Sequence, residues 1–378
     1  MDIQQKVIHL LTKTYASPVF GDSFGVSDSQ RVQTATTQIL QVAAEVSSTL
    51  CRHIIDAYPG CTPQQAQAIA AEIIPKAVVF SSGLTAAELP SQTNRLGDIT
   101  LAIGLMYFID QTVDRGDEAA AQAVEAYANR PDPGIVPIHR CMDAIRAAID
   151  NVALLEDAGR VAECFIDEVL LREVRLQRLS QQYYQLPSNQ QEAFLERHAP
   201  ELAELMTIDA GFPSVSSTLY ALYRQETPNL PPLAAVYREP LLEMLLQICN
   251  VVVRIADEVG DWDVDAGTYP EKGVFCINVC NQPHPALLLE LYRNAHIDAT
   301  MASTLNTLFT QFKNAPADTK EQYGEQIIDI LIHHAKQYIA ALPADITGRY
   351  RQYVTLCKRV LEIGYVNRMG DRALEAHG

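Results

Sequence analysis

A chain of 378 residues, 48% of them hydrophobic, has enough apolar mass to bury a large core and still line a cavity. Its formal charge of −17 and the absence of any Lys/Arg cluster exclude a nucleic-acid partner, because the overall field repels a polyanion. The eight cysteines are scattered, and only Cys276 and Cys280 lie close together, with no His or Cys pair to complete a zinc pattern.

Read along the chain, Met1–Ala16 shows no long apolar run, so no export signal is expected. No 18-residue apolar stretch is read anywhere, which predicts no membrane span, a cytoplasmic protein and thiols kept reduced. Gln30–Tyr58 carries Ile39, Val42, Val46, Leu50 and Ile54 at spacings of three and four, the stripe of an amphipathic helix. Pro59-Gly60 ends it, and Thr62-Pro63 restarts the chain with a capping residue and a proline at the first helical position. Further helices are predicted over 92–114, 137–154, 155–186, 189–224, 239–264, 283–314, 318–342 and 346–374. Val274–Val279 is the single short strand-like run. The loops at Asn129–Pro137, Thr227–Pro232 and Asp265–Gly273 are too short for domain linkers, so residues 1–378 read as one all-α domain. Gly211-Phe212-Pro213 falls inside 189–224 and must kink or break that helix, either as an ordinary loop or as a break facing a cavity.

Two segments carry chemistry. Ile99–Ile109 runs without a charge, and the helix then presents Asp110 and Asp114 one turn apart on one face. Like charges at a helix C-terminal end repel each other and the helix dipole, an arrangement that a cation relieves. Oxygen donors without His or Cys suit Mg²⁺. A solvated helix end is the alternative. Further on, Asn250, Arg254 and Glu258 form a polar seam at four-residue spacing in an apolar helix, with Asp257 and Asp261 as a parallel pair beside it. Buried Asn, Arg and Glu are costly unless paired or bound to an ion, so the seam reads either as a metal site or as an internal Arg254–Glu258 ion pair.

These residues resemble the class I terpene synthases. That family carries an aspartate-rich DDxxD motif at the end of one helix and an Asn/Ser-Thr/Glu motif at four-residue spacing on a facing one. FIDQTVD places Asp110 and Asp114 at the outer aspartates, and NVVVRIADE places Asn250, Arg254 and Glu258 at the second motif, 140 positions on (110 to 250). Arg349-Tyr350 matches the family's C-terminal Arg-Tyr pair, and Gly211–Pro213 resembles its interrupted helix. The likeness spans residues 60–355. Gln111 departs from the second aspartate, Arg254 from the Ser/Thr ligand, and Glu204 stands where a diphosphate-sensing arginine is expected. A guanidinium cannot ligate a cation, so Asp257 or Asp261 would supply the missing oxygen.

The resemblance implies a single-domain α-bundle around a central apolar cavity. It also implies three Mg²⁺ ions, or fewer given the divergent motif, and an isoprenyl diphosphate substrate such as farnesyl diphosphate, ionised and cyclised with release of diphosphate. Asp110, Asp114, Asn250 and Glu258 would hold the metal. Arg349, Tyr350 and Arg254 would contact the diphosphate, and Gly211 would face the reacting carbon. Phe80, Tyr107, Phe108, Phe212, Tyr220 and Trp262 are the aromatic residues that either wall the cavity or pack in the core. A homodimer is left open. The alternatives are a prenyltransferase or condensing enzyme, and a non-catalytic isoprenoid-binding protein of the same fold.

Overall fold

The computed structural model describes residues 3–16, 29–58, 60–83, 93–129, 136–209, 211–260, 262 and 277–361. Every regular element among them is helical. In chain order these are α1 (Ile3–Ala16), α2 (Ser29–Ala57), α3 (Pro63–Val78), α4 (Thr93–Asp114), α5 (Glu118–Asn129), α6 (Pro137–Val152) and α7 (Leu155–Phe165). There follow α8 (Leu171–Gln185), α9 (Ser188–Asp209), α10 (Phe212–Glu226), α11 (Leu233–Tyr237) and α12 (Pro240–Gly260). The last are α13 (Pro285–Asn294), α14 (Ala299–Asn314), α15 (Ala317–Ala341), α16 (Ala344–Arg349) and a helix α17 over 351–361. Buried apolar residues from Val7 to Leu361 form one cluster.

The local signals act as expected where the chemistry is strong. Thr62 caps α3: its side chain accepts from the Gln65 N–H while Gln65 Oε1 accepts from the Thr62 N–H, a reciprocal capping box. Pro75 lies inside α3, and a π-helical turn, Val79–Gly83, follows it. A second π turn, Ile166–Leu170, joins α7 to α8, so 155–185 runs as one long helix with a local widening. At 211–213 the break occurs: Gly211 takes φ +72°, which glycine adopts without a Cβ clash, and Pro213 sits in the first turn of α10.

Four sequence expectations are corrected. The predicted helix 283–314 is two helices, because His296 adopts a left-handed φ of 54° and Asp298 starts α14, accepting from the N–H groups of Thr300 and Met301. The described part of Val274–Val279 is irregular chain entering a turn, not strand. One segment, Arg95–Asp114, does have the length and apolar character to cross a bilayer, contrary to the sequence reading. Most of it is buried by protein, with α2, α3 and α6 packed around it. The predicted helix over 346–374 turns at Tyr350, and its residues beyond 361 lie outside the described ones, as do Asp261 and Cys276. The other seven cysteines are free thiols.

Around this centre, α9 packs on α8 and α13, α10 on α7, and α12 on α15. The last contact is close: a Cβ on Gly324 of α15 would overlap the Val259 side chain of α12 and crowd the Phe312 ring. A buried ion pair ties three elements together. Arg224 of α10 bonds Asp157 and, at 2.6 Å, Glu156 on α7, while Asp157 also accepts from the Leu233 N–H that opens α11.

Candidate functional site

The end of α4 brings Asp110 and Asp114 together, as their spacing predicts, and a third carboxylate joins them. Glu173 of α8 lies where oxygens of all three side chains fall within 4.8 Å of one another. Glu173 is 5% exposed, and the two aspartates are half-buried. The positions Glu173, Gln177 and Ser180 recur at helical spacing, and all are buried among Val174, Leu176 and Leu179, so α8 turns a polar seam inward. Gln177 Nε2 donates to the Asp114 carbonyl oxygen at 2.6 Å, which fixes the last turn of α4 against α8. Three carboxylates with no imidazole or thiolate make a hard oxygen donor set, the chemistry of Mg²⁺ or Ca²⁺ ligation.

In sequence, Arg172, Arg175 and Arg178 recur every three residues with Glu168 and Glu173 nearby, the pattern of a solvated, salt-bridged face. The three arginines do form that face, paired with Glu204 at 2.8 Å, with Glu201 and with Glu125 respectively. Glu173, one residue and 100° round the helix from the half-buried Arg172, is turned to the buried side. Beside it, the adjacent π turn holds Asp167 and Glu168. Burial raises the Asp167 carboxyl above the usual carboxylate range, with Arg146 opposing the shift and Glu163 and Glu168 adding to it.

The second seam lies on α12. Asn250, Arg254 and Glu258 are all buried, at 3, 6 and 2% exposure. The Arg254 guanidinium is ion-paired to Glu258 Oε1 and stands 3.9 Å from Asp257. Glu258 Oε2 accepts from the Val279 N–H at 3.0 Å, and its backbone carbonyl accepts from Asn278 at 3.0 Å. Glu258 therefore meets the Arg254 charge at one carboxylate oxygen and a backbone N–H at the other. Asn250 Oδ1 is buried on the same helix, with no hydrogen-bond partner among the described residues. Asn250 lines a pocket of about 380 Å³ together with Arg160, Glu168, Thr207 and Tyr237. There Arg160 lies flat over the Tyr237 ring at 4.0 Å and bonds Glu168 at 2.5 Å.

The remaining predicted residues are spread through the bundle. Arg349 is exposed, 5.2 Å over the ring of Tyr350, whose buried hydroxyl points to the Ala235 carbonyl at 3.5 Å. Gly211 and Phe212 are buried, with Ser214 donating to the Gly211 carbonyl at 2.7 Å. The Tyr220 ring meets Tyr353 edge-on at 5.5 Å, and its hydroxyl donates to Pro231. Phe108 meets Tyr58 edge-on at 5.8 Å, and Trp262 meets Phe312 at 6.2 Å. Phe80, on the first π turn, and Tyr107 are half-buried. No known family model, characterised protein or solved structure matches the chain.

Proposed function

We propose that the chain is a single-domain, Mg²⁺-dependent enzyme of the class I terpene synthase type, acting on an isoprenyl diphosphate such as farnesyl diphosphate. The observation that carries this reading is the convergence of Asp110, Asp114 and Glu173. Their oxygens suit a hard divalent cation, and Asn250 Oδ1, a buried acceptor without a partner, fits a second contact. Metal bound at these carboxylates would offset the charge that develops on a departing diphosphate.

In this reading the allylic C–O bond breaks with its electron pair leaving on the diphosphate, and the carbocation closes a ring and loses a proton inside an apolar cavity. Arg349 and Tyr350 remain proposed diphosphate contacts. Arg172, next in sequence to Glu173 and bonded to Glu204, supplies a guanidinium where position 204 lacks one. Purified protein incubated with geranyl, farnesyl and geranylgeranyl diphosphate and Mg²⁺ tests the proposal. Cyclic hydrocarbons or alcohols are expected, with loss of about a hundredfold or more in Asp110→Asn and Glu173→Gln. Full turnover in either variant would overturn the site.

A second reading rests on the Arg254–Glu258 pair, which occupies the oxygens that a metal at the second motif needs. It makes the protein a binder of isoprenyl diphosphates, and tight binding without turnover would favour it. Longer diphosphates as products would point to a chain-elongating enzyme instead.

A further inference from the structure

A second group of ligand side chains lies on another pair of helices. Glu192 and Glu196 are four apart on α9, so both carboxylates project from one face of it. His284 reaches them from the N-cap of α13, which packs on α9. Ligand atoms of the three side chains all fall within 4.8 Å of one another. The glutamates are exposed and the imidazole is half-buried, which leaves the group open to an ion from solvent.

No protein group engages these three side chains. Further along α9 the acidic residues find arginines, Glu201 with Arg175 and Glu204 with Arg172. Glu192 and Glu196 have no hydrogen bond or ion pair among the described residues, so two like charges stand one turn apart without a counter-charge. Neither ring nitrogen of His284 has a hydrogen-bond partner among the described residues. The ring occupies an N-cap without capping it, the task that Ser, Thr, Asp or Asn perform at that position. Pro285, at the first helical position, restricts the His284 backbone to its extended conformation (φ −84°, ψ 127°). The imidazole is thus presented to α9 from a stiff segment.

The donor set selects the ion. Mg²⁺ and Ca²⁺ take oxygen ligands, whereas an imidazole with two carboxylates suits a first-row transition metal. We infer that Glu192, Glu196 and His284 form a Zn²⁺ site, with water completing the tetrahedral shell. Ligands about 2.0–2.2 Å from a tetrahedral Zn²⁺ stand roughly 3.4 Å from one another. The present spacing closes to that by a change of rotamer in the two exposed glutamates. A bound ion would turn the repulsion between Glu192 and Glu196 into shared attraction and clamp α9 to the start of α13. The site shares no residue with Asp110, Asp114 and Glu173 and stands whether or not the diphosphate chemistry does.

The test uses the untagged full chain, stripped with a chelator and titrated with ZnCl₂ under calorimetry and thermal melting. Saturable Zn²⁺ binding and a raised melting temperature are expected. Glu196→Gln and His284→Ala should each weaken that binding by at least about tenfold, the loss that even an outer partner of a metal ligand causes. Both should also erase the thermal shift. Glu192 and Glu196 are exposed, so Glu192→Gln and Glu196→Gln keep the fold and read the metal alone. Two controls locate the ion. Glu201→Gln removes the same charge from the same helix, and Asp110→Asn disables the other carboxylate cluster; each should leave the thermal shift in place. No saturable binding, or undiminished binding in Glu196→Gln or His284→Ala, would overturn the site. An equal loss in Glu201→Gln would reduce it to a general effect of negative charge, and loss of the shift in Asp110→Asn would move the ion to the other cluster; either result overturns the assignment.

Discussion

At the end of α4 three carboxylates from two helices converge, whereas on α12 the acidic residue of a buried seam is answered from within its own helix. Asp110, Asp114 and Glu173 bring oxygens within 4.8 Å of one another. Glu258 has Arg254 on one oxygen and the Val279 N–H on the other. Both regions look alike as sequence: polar residues at helical spacing in an apolar context. The difference lies in who sits four residues away. An arginine at i−4 neutralises Glu258 locally, which orients the seam toward holding α12 to the turn at 277–281. At Asp110 the residue at i+4 is another aspartate, so the helix concentrates charge instead of cancelling it.

The largest effect that sharpens this contrast is expected on α12. Arg254→Met leaves Glu258 buried without its ion-pair partner and should cost about 3–5 kcal/mol of stability in chemical denaturation. Arg254→Met combined with Glu258→Leu should regain most of that loss, as pairs replaced by apolar groups do. If the single variant is as stable as the parent, the seam is not a structural pair. Arg254→Ser carries the contrast further: a melting temperature newly raised by Mg²⁺ would show that the seam becomes a metal site once the guanidinium is gone.

A smaller loss should follow from the packing behind that seam. Gly324→Val drives a side chain into Val259, next to Glu258, and overpacking of this kind costs about 1–3 kcal/mol. The acidic cluster lies on α4 and α8, neither of which is Gly324's helix, so Mg²⁺-dependent activity per folded molecule should be unchanged. Parallel loss of stability and specific activity would show that the two regions are coupled.

Much of this was legible from the residues. Thr62-Pro63 announced a capped helix start, Gly211–Pro213 a break, and Asp110/Asp114 a shared face, because each depends on local stereochemistry. Glu173 was obscured by the arginines on either side of it, whose charges suggested an exposed face. The signal available was the run Glu173, Gln177, Ser180, spaced by four and then three, a helical seam like that of Asn250, Arg254 and Glu258. The break at His296 was hidden for another reason: a left-handed φ at a non-glycine residue is imposed by packing and leaves no mark except the capping Asp298 that follows. The two π turns are similarly silent, since each is a matter of one extra residue per turn. Partner choice across helices was also beyond the sequence: Arg172 finds Glu204, which the sequence had singled out only for lacking a positive charge.

The smallest expected stability effects come from that arginine face, and they discriminate best. Arg172 and Arg175 project from the same helix onto the same neighbour, bonding Glu204 and Glu201. Both pairs are solvent-exposed, so Arg172→Ala and Arg175→Ala should each cost less than about 1 kcal/mol. Stability therefore cannot tell them apart, but function can. Arg172 adjoins Glu173 and is the residue proposed above to contact the diphosphate; Arg175 is most of a turn further along α8. Arg172→Ala should raise KM for the diphosphate by about tenfold, the worth of one charge-assisted hydrogen bond, while Arg175→Ala leaves it unchanged. Equal kinetics in the two variants would reduce Arg172 to a surface ion pair and return the diphosphate contacts to Arg349 and Tyr350.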